Sequence, residues 1–162
     1  MNRILVIFLG LTVLSFGCGP AETPEQPAEE VQAEETAEPS LYDRLGGAHP
    51  IASVVDDLID RVAANDALNA NPAVDEARKR VPTPGLKFHL TAMVCQAAGG
   101  PQQYTGRSMK ETHQFLNITE EEWEIFLVDM KATLDKFKVP EKEQNELFAI
   151  VESTKADIVM GL

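Results

Sequence analysis

The chain has 162 residues, 44% of them hydrophobic and 25% charged, with 10 Gly and 10 Pro. Those proportions suit a globular protein and exclude a collagen-like repeat, a wholly disordered chain and a multi-span membrane protein. Fourteen Lys and Arg against 26 Asp and Glu leave a formal charge of −12. That charge opposes binding to nucleic acid, which needs basic side chains to replace counterions. The two cysteines show neither CxxC nor CxxCH spacing, so neither a disulfide framework nor covalent haem attachment through such a motif is encoded.

Met1-Asn2-Arg3 is a short positive start, and Ile4 to Gly17 is a mostly apolar run of fourteen residues. That is shorter than the roughly 20 residues of a bilayer span and suits the apolar region of a secretory signal. The run ends at Gly17-Cys18-Gly19, which resembles the lipobox of bacterial lipoproteins, although Ser15 and Phe16 depart from its usual residues. The resemblance implies a signal peptide over 1–18, lipidation of Cys18 and an extracytoplasmic protein anchored to a membrane. The alternatives are an ordinary secretory signal or an uncleaved anchor with Cys18 incidental. Residues 19–40 follow as a linker: positions 20–40 hold seven Glu, four Pro and no Lys or Arg. Such a segment buries too little apolar surface to offset its ordering entropy, so it reads as a disordered spacer. The remaining 41–162 carries 19 acidic and 13 basic residues, a net of −6, and is long enough to bury one core.

That domain reads as all-α. Ile51, Val54, Val55, Leu58, Ile59 and Val62 recur at helical spacing after Pro50. A loop is expected around Asn69-Ala70-Asn71-Pro72, then a second apolar helix from Leu86 to Ala98, closed by Gly99-Gly100-Pro101. Ser108 with Glu111 forms a capping box for a short helix carrying His113, and Thr119 with Glu122 forms another. The second box opens a long helix striped with Trp123, Phe126, Leu127, Met130, Leu134 and Phe137. Pro140 starts a last helix, with Leu147, Ile150, Val151 and Ile158 facing inward.

Among the three histidines, His49 reads as a helix-start residue beside Gly46-Gly47 and Pro50. His113 shares the apolar face of its short helix with Met109 and Leu116, and His89 sits among Leu86, Leu90 and Met93. Each suits either a buried, hydrogen-bonded core residue or a metal ligand. The phrases around them are more specific. Leu41-Tyr42-Asp43-Arg44-Leu45-Gly46-Gly47 opens the domain, and Gly99-Gly100-Pro101-Gln102-Gln103-Tyr104-Thr105-Gly106-Arg107-Ser108-Met109-Lys110-Glu111-Thr112-His113 sits in its middle. Together with a long helix ending at Val139-Pro140, this pattern closely resembles the group I truncated haemoglobins. The resemblance implies a compact two-over-two globin fold holding non-covalent haem b, with His113 as the proximal iron ligand. Chemistry agrees: haem iron takes a neutral imidazole whose other nitrogen is fixed by a hydrogen bond, here to a carbonyl near Met109. Leu86, Leu90, Met93, Val94, Phe115, Leu116, Ile118, Trp123, Phe126 and Leu127 are candidate pocket walls, equally readable as core. Lys87, Tyr104, Arg107 and Lys110 flank the pocket as candidate partners of the haem propionates, or as solvated surface residues.

The chain also departs from that family's pattern. The usual Phe-Tyr pair of the second helix is Leu58-Ile59, a later Phe-Phe pair is Asn71-Pro72, and a distal glutamine is Leu90. With the distal Tyr and Gln missing, firm oxygen retention and nitric oxide dioxygenation are both in doubt, and a gas-binding role is expected rather than a dedicated enzymatic one. His89 occupies the position where some relatives place a sixth iron ligand, so it is a candidate distal donor or ligand. Cys95 reads as a small buried residue. The expected function is reversible binding of a diatomic gas (O2, NO or CO) on the outer side of a membrane. The alternatives are a bis-histidyl haem protein serving a redox partner, and a haem-free globin-like lipoprotein acting through its surface.

Overall fold

The computed structural model describes residues 38–161; the signal-like segment, Cys18 and residues 19–37 of the linker lie outside the described residues. Helical order begins at Ser40. Its hydroxyl accepts from the Asp43 N–H at 3.1 Å and donates to the Asp43 carboxylate at 2.6 Å, capping α1 (Leu41–Arg44). The further helices are α2 (Ala48–Ala64), α3 (Asp66–Asn69), α4 (Pro72–Arg80), α5 (Thr83–Ala97), α6 (Met109–His113), α7 (Glu120–Lys136), α8 (Glu141–Glu152) and α9 (Lys155–Ile158). Among the described residues no strand forms beyond one isolated parallel bridge, Ile118 to Val159. The domain is all-α.

Gly47 caps α2 at φ 84°, a left-handed conformation that a side chain would strain. Pro50 lies in the first turn of α2, where the missing N–H leaves no helical bond unmade. The loop expected around Asn69-Ala70-Asn71-Pro72 is a two-residue break, Ala70-Asn71, between helices that the sequence did not announce on either side of it. Asn71 caps α4, accepting from Ala73 N–H at 3.0 Å and Val74 N–H at 3.4 Å, and Pro72 takes the first position. Asp75 in the first turn and Arg78, Lys79 and Arg80 in the last oppose the helix dipole. No residue of α4 is buried, and its half-buried side is only Ala73, Val74 and Ala77.

Two helix pairs make the core. Ile51, Val55 and Ile59 of α2 pack on Leu90, Val94 and Cys95 of α5. Leu58 of α2 meets Met130 and Leu134 of α7 and Leu147 of α8, with Phe148, Ile150 and Val151 against them. This is the two-over-two arrangement, with α2 and α5 set against α7 and α8. Each fully buried Leu or Val contributes on the order of 1.5–3 kcal/mol of transfer free energy.

Two expected inward positions change. Phe137 is 39% exposed because α7 ends at Lys136 and the chain turns through a left-handed Lys138. The last helix breaks after Glu152, so Ile158 belongs to the separate α9. Three buried polar residues instead join the core. Thr133 accepts from Arg61 Nε at 3.1 Å and donates to Asp57, which also pairs with Lys136. Gln144 donates to the Val139 carbonyl at 2.8 Å. Glu143 accepts from Arg44 Nε at 2.8 Å, joining the first helix to α8.

The Arg44 hydrogen bond holds the Glu143 carboxyl below the usual glutamate range. A folded pKa below the unfolded one gives stability that is present above about pH 4.3 and is lost as pH falls through the lower value. Glu143→Gln should therefore lower Tm at pH 7 and converge on the wild type towards pH 3. Scanning calorimetry over that range checks this; parallel Tm curves would exclude a folded-state role for the pair's charge.

Candidate functional site

The polar chemistry of the domain gathers at α6 and the loop entering it. A helix of five residues needs its ends satisfied, and Ser108 and Glu111 do so reciprocally. The Ser108 hydroxyl accepts from Glu111 N–H at 3.2 Å, while the Glu111 carboxylate accepts from Ser108 N–H at 2.9 Å. These bonds hold the Glu111 carboxyl below its ordinary pKa. The same cap brings His113 round to face the start of its own helix. Nδ1 of His113 lies 2.8 Å from the Met109 carbonyl oxygen and 2.9 Å from Thr112 Oγ1. A carbonyl can only accept, so the proton sits on Nδ1 and the lone pair is left on Nε2.

Three elements hold this segment from outside. Asn71 Nδ2 donates to the Leu116 carbonyl at 2.9 Å, so the residue that caps α4 also ties it to the loop after His113. Met160 and Gly161 N–H both donate to the Ile118 carbonyl, at 3.0 and 2.8 Å. α9 packs directly on α6.

His89 lies on α5. Its ring meets Phe88 edge-on at 5.5 Å and Tyr104 edge-on at 6.0 Å, and Nδ1 is buried with no hydrogen-bond partner. Tyr104 is itself fixed: its N–H donates to Gln96 Oε1 at 2.6 Å and its hydroxyl to the Arg107 carbonyl at 2.7 Å. The ring lies across Gly106, where any Cβ would collide with it. Leu90 and Ile59 pack together with Ile51, Val55 and Cys95, and Leu58 is buried in the other cluster. Cys95 is fully buried, which pushes its thiol pKa up.

The remaining sequence candidates divide. Lys87 is not available to an anionic ligand as expected: its ammonium binds Asp56 at 2.7 Å and Asp60 at 2.6 Å, tying α5 to α2 and raising its pKa. The hydroxyl of Tyr104 is likewise committed within its loop. Arg107 and Lys110 are exposed and belong to no ion pair found among the described residues. Leu86, Phe88 and Phe115 are 41%, 68% and 78% exposed, whereas Met93, Val94, Met109, Leu116, Ile118 and Phe126 are half-buried. Trp123 is buried, tilted against Phe126 at 5.9 Å, with Lys155 over its ring and its indole N–H unpartnered. Leu127 faces elsewhere, lining a surface cleft of about 440 Å³ with Val128 and Phe148. His49 is exposed at the start of α2.

Sequence reasoning missed Thr112 and the clasp made by Asn71. The first had a signal in its place three and four residues after Met109 and Ser108, where a helical threonine hydroxyl meets backbone carbonyls. The second had one in Asn-Pro, a helix-start pair.

The family model described as bacterial-like globin matches residues 40–160. The group 1 truncated hemoglobin of Synechocystis is 32% identical over 116 residues, covering 68% of this chain and 88% of that one. That of Nostoc commune is 37% identical over 81 residues, half of this chain; the match spans only 64% of that relative's length. Among solved structures, the Synechococcus 2/2 hemoglobin, in the cyanomet state with covalently attached heme, superposes with a TM-score of 0.66 at 24% identity. A point mutant of the Tetrahymena pyriformis truncated hemoglobin, in its Fe(III) form, does so with 0.66 at 22%. Each covers 75% of this chain and 98% of its own.

Proposed function

The chain belongs to the bacterial-like globins and, among them, to the group 1 truncated haemoglobins, and from that premise we propose that it binds haem b non-covalently and a diatomic gas (O2, NO or CO) reversibly. The observation that carries this reading is the His113 ring, whose Nδ1 is held by the Met109 carbonyl at 2.8 Å. That bond fixes the tautomer an iron ligand requires and leaves Nε2 to bind the metal. The unpartnered buried nitrogen of His89 and the half-buried apolar side chains of α5 and of the segment after α6 suit the same group. Bound haem would supply an iron centre at which a gas molecule adds and leaves. Arg107 and Lys110 are the cations left to meet its carboxylates. Cys95, the cysteine among the described residues, is fully buried.

Ile59 and Leu90 offer no hydrogen-bond donor where the family usually places Tyr and Gln. A hydrocarbon distal wall gives little hold on a polarised oxygen ligand and suits the less polar NO and CO. Dioxygenase activity is accordingly not proposed. Titrating the protein with haem should produce a Soret band and quench Trp123, the only tryptophan of the chain. His113→Ala should lose the band or need far more haem to form it. An unchanged spectrum in that variant removes the reading.

His89 favours a second reading. An imidazole nitrogen buried without a partner costs about 1–3 kcal/mol, and a turn of the ring onto iron would recover it. Bis-histidyl ligation suits electron transfer with a redox partner, or gas binding gated by release of His89. The expected signs are a low-spin ferrous spectrum and slow, saturating CO binding, with His89→Leu five-coordinate and fast. A wild type that is five-coordinate in both oxidation states ends the redox reading and leaves gas binding intact.

Cys18 and the run before it support an extracytoplasmic, lipid-anchored placement. The full chain should then partition with membranes until detergent is added, and Cys18→Ala should be released. Equal release of both proteins without detergent rules the anchor out.

A further inference from the structure

The helices α6 and α9 have five and four residues, and neither holds a buried residue. Helices that short have no stability of their own in water, so each must take it from a neighbour. Among the described residues, each is the other's principal helix partner. The segment after α9 continues the contact: Val159 forms the parallel bridge with Ile118, and Met160 and Gly161 N–H both donate to the Ile118 carbonyl. Gly161 has no room for a side chain, because a Cβ would lie 2.6 Å from the Asn117 carbonyl oxygen and 3.0 Å from that of Ile118. Asn117 turns the chain into this closure at φ 50°. Lys155 fastens the other end of the segment to α7. Its ammonium pairs with Glu120, the first residue of that helix, and lies 5.9 Å from the centre of the Trp123 ring. At the root, the Ser153 and Thr154 hydroxyls donate to the Ile150 and Val151 carbonyls at 2.6 and 2.7 Å, finishing α8.

We propose that residues 155–161 are a strap that opens and closes with α6 as one unit, and that its opening withdraws His113 and so gates the entry and release of haem. The gate rests on the haem reading of His113; the coupling of strap to helix does not. Its physical reason is local stability. Segments that bury few apolar side chains open at lower free energy than the core, and they do so in contiguous cooperative units. The core clusters are built from α2, α5, α7 and α8, together with Leu41. Without the strap, α6 keeps only the Ser108–Glu111 box at one end and the Asn71 bond to Leu116 beyond the other. Five residues held that thinly return to the regime of an isolated helix, where nucleation is unfavourable. The hinge falls at Ser153–Thr154, where α8 already ends, so opening leaves both helix pairs of the core in place. The latch is the Lys155 ammonium, which holds the strap to α7 through a charge and an aromatic ring at once.

Gly161→Val blocks the closure sterically, and Lys155→Gln removes the charge of the latch. Lys131→Gln is the control, since it removes the Lys131–Asp135 pair elsewhere on α7. Circular dichroism checks folding, and Lys155→Gln carries the test if Gly161→Val does not fold. Hydrogen exchange of the full chain before haem is added reads the coupling. The reporters are the amides of Thr112, Gln114 and Leu116 at α6, and those of Val159, Met160 and Gly161 in the strap. The rate of haem transfer to an acceptor globin reads the gate, repeated in a His89→Leu background so that a sixth ligand does not hold the haem. In Gly161→Val both sets of amides should lose about tenfold in protection, the equivalent of one or two backbone hydrogen bonds. In Lys155→Gln both should lose about two- to fivefold, as for a partly exposed ion pair. Amides of α2 and α7 should not change, haem transfer should quicken by a similar factor in each strap variant, and Lys131→Gln should match the wild type. If the strap amides exchange faster while those of α6 keep wild-type protection, the coupling and the gate are both refuted. If α6 follows the strap but the folded variants release haem at the wild-type rate while His113→Ala loses it, the gate is refuted and the haem reading survives. If His113→Ala keeps its haem spectrum, the haem reading falls and the gate falls with it.

Discussion

Everything about the site depends on one hydrogen bond inside a helix of five residues, from His113 Nδ1–H to the Met109 carbonyl at 2.8 Å. An isolated helix that short has no stability of its own, since helices below about 12 residues are marginal in water. The bond therefore exists only where the surroundings impose it. The Ser108–Glu111 box closes one end; beyond the other, Asn71 and the 159–161 segment clasp the carbonyls of Leu116 and Ile118. Gly161 is needed at that closure, because a Cβ there would sit 2.6 Å from the Asn117 carbonyl oxygen. Segments far apart in sequence thus fix one imidazole.

The same requirement explains the division of labour among the long helices. α2 packs on both α5 and α7, so its apolar side chains are consumed by the two clusters that make the core. α5 must meet α2 with Leu90, Val94 and Cys95, yet it also carries Leu86 and Met93 beside Leu90 and Phe88 on the opposite face. A helix apolar on more than one side is buried on more than one side or faces something that is not water. Lys87 fixes its position by spanning to Asp56 and Asp60. Its charge is an inter-helix tie, a role that spacing alone could not distinguish from an anion contact.

Legibility in the sequence followed the physics of each element. α2, α7 and α8 were readable because they bury a stripe, α5 because it is a long apolar stretch closed by Gly99-Gly100-Pro101, and the caps at Ser108 and Thr119 because a capping box is local in sequence. α4 was not, because its inward side is only Ala73, Val74 and Ala77, small and half-buried, and its clearest announcement was Asn71-Pro72. Against the family pattern those two residues read as missing aromatics, whereas the structure gives Asn71 a positive task as cap and clasp. The Met109 carbonyl as the partner of His113 follows from the helical i to i−4 relation. The buried Glu143 had no such signal, since its partner Arg44 lies 99 residues away and long-range ion pairs leave no local trace.

Polarity around the two histidines bears on which ligands the site can distinguish. The hydroxyl of Tyr104, the amide of Asn71 and the hydroxyl of Thr112 are each committed to a backbone carbonyl of the fold. Gln96 is committed to the Tyr104 amide. Among the described residues, the buried side-chain polar atoms without partners are His89 Nδ1, Gln102 Oε1 and Trp123 Nε1. With Ile59 and Leu90 as hydrocarbon, His89 is on the proposed reading the polar side chain of α5 left to meet a ligand. On the proposed reading, gas binding and histidine ligation then compete for one position and do not exclude one another. A preference of about 1.4 kcal/mol for the imidazole still leaves roughly a tenth of molecules open to gas. On the other histidine, the short helix α6 supplies two hydrogen-bond partners, the Met109 carbonyl and the Thr112 hydroxyl, for one ring nitrogen of His113, so its ring is held by the fold whatever Nε2 would bind.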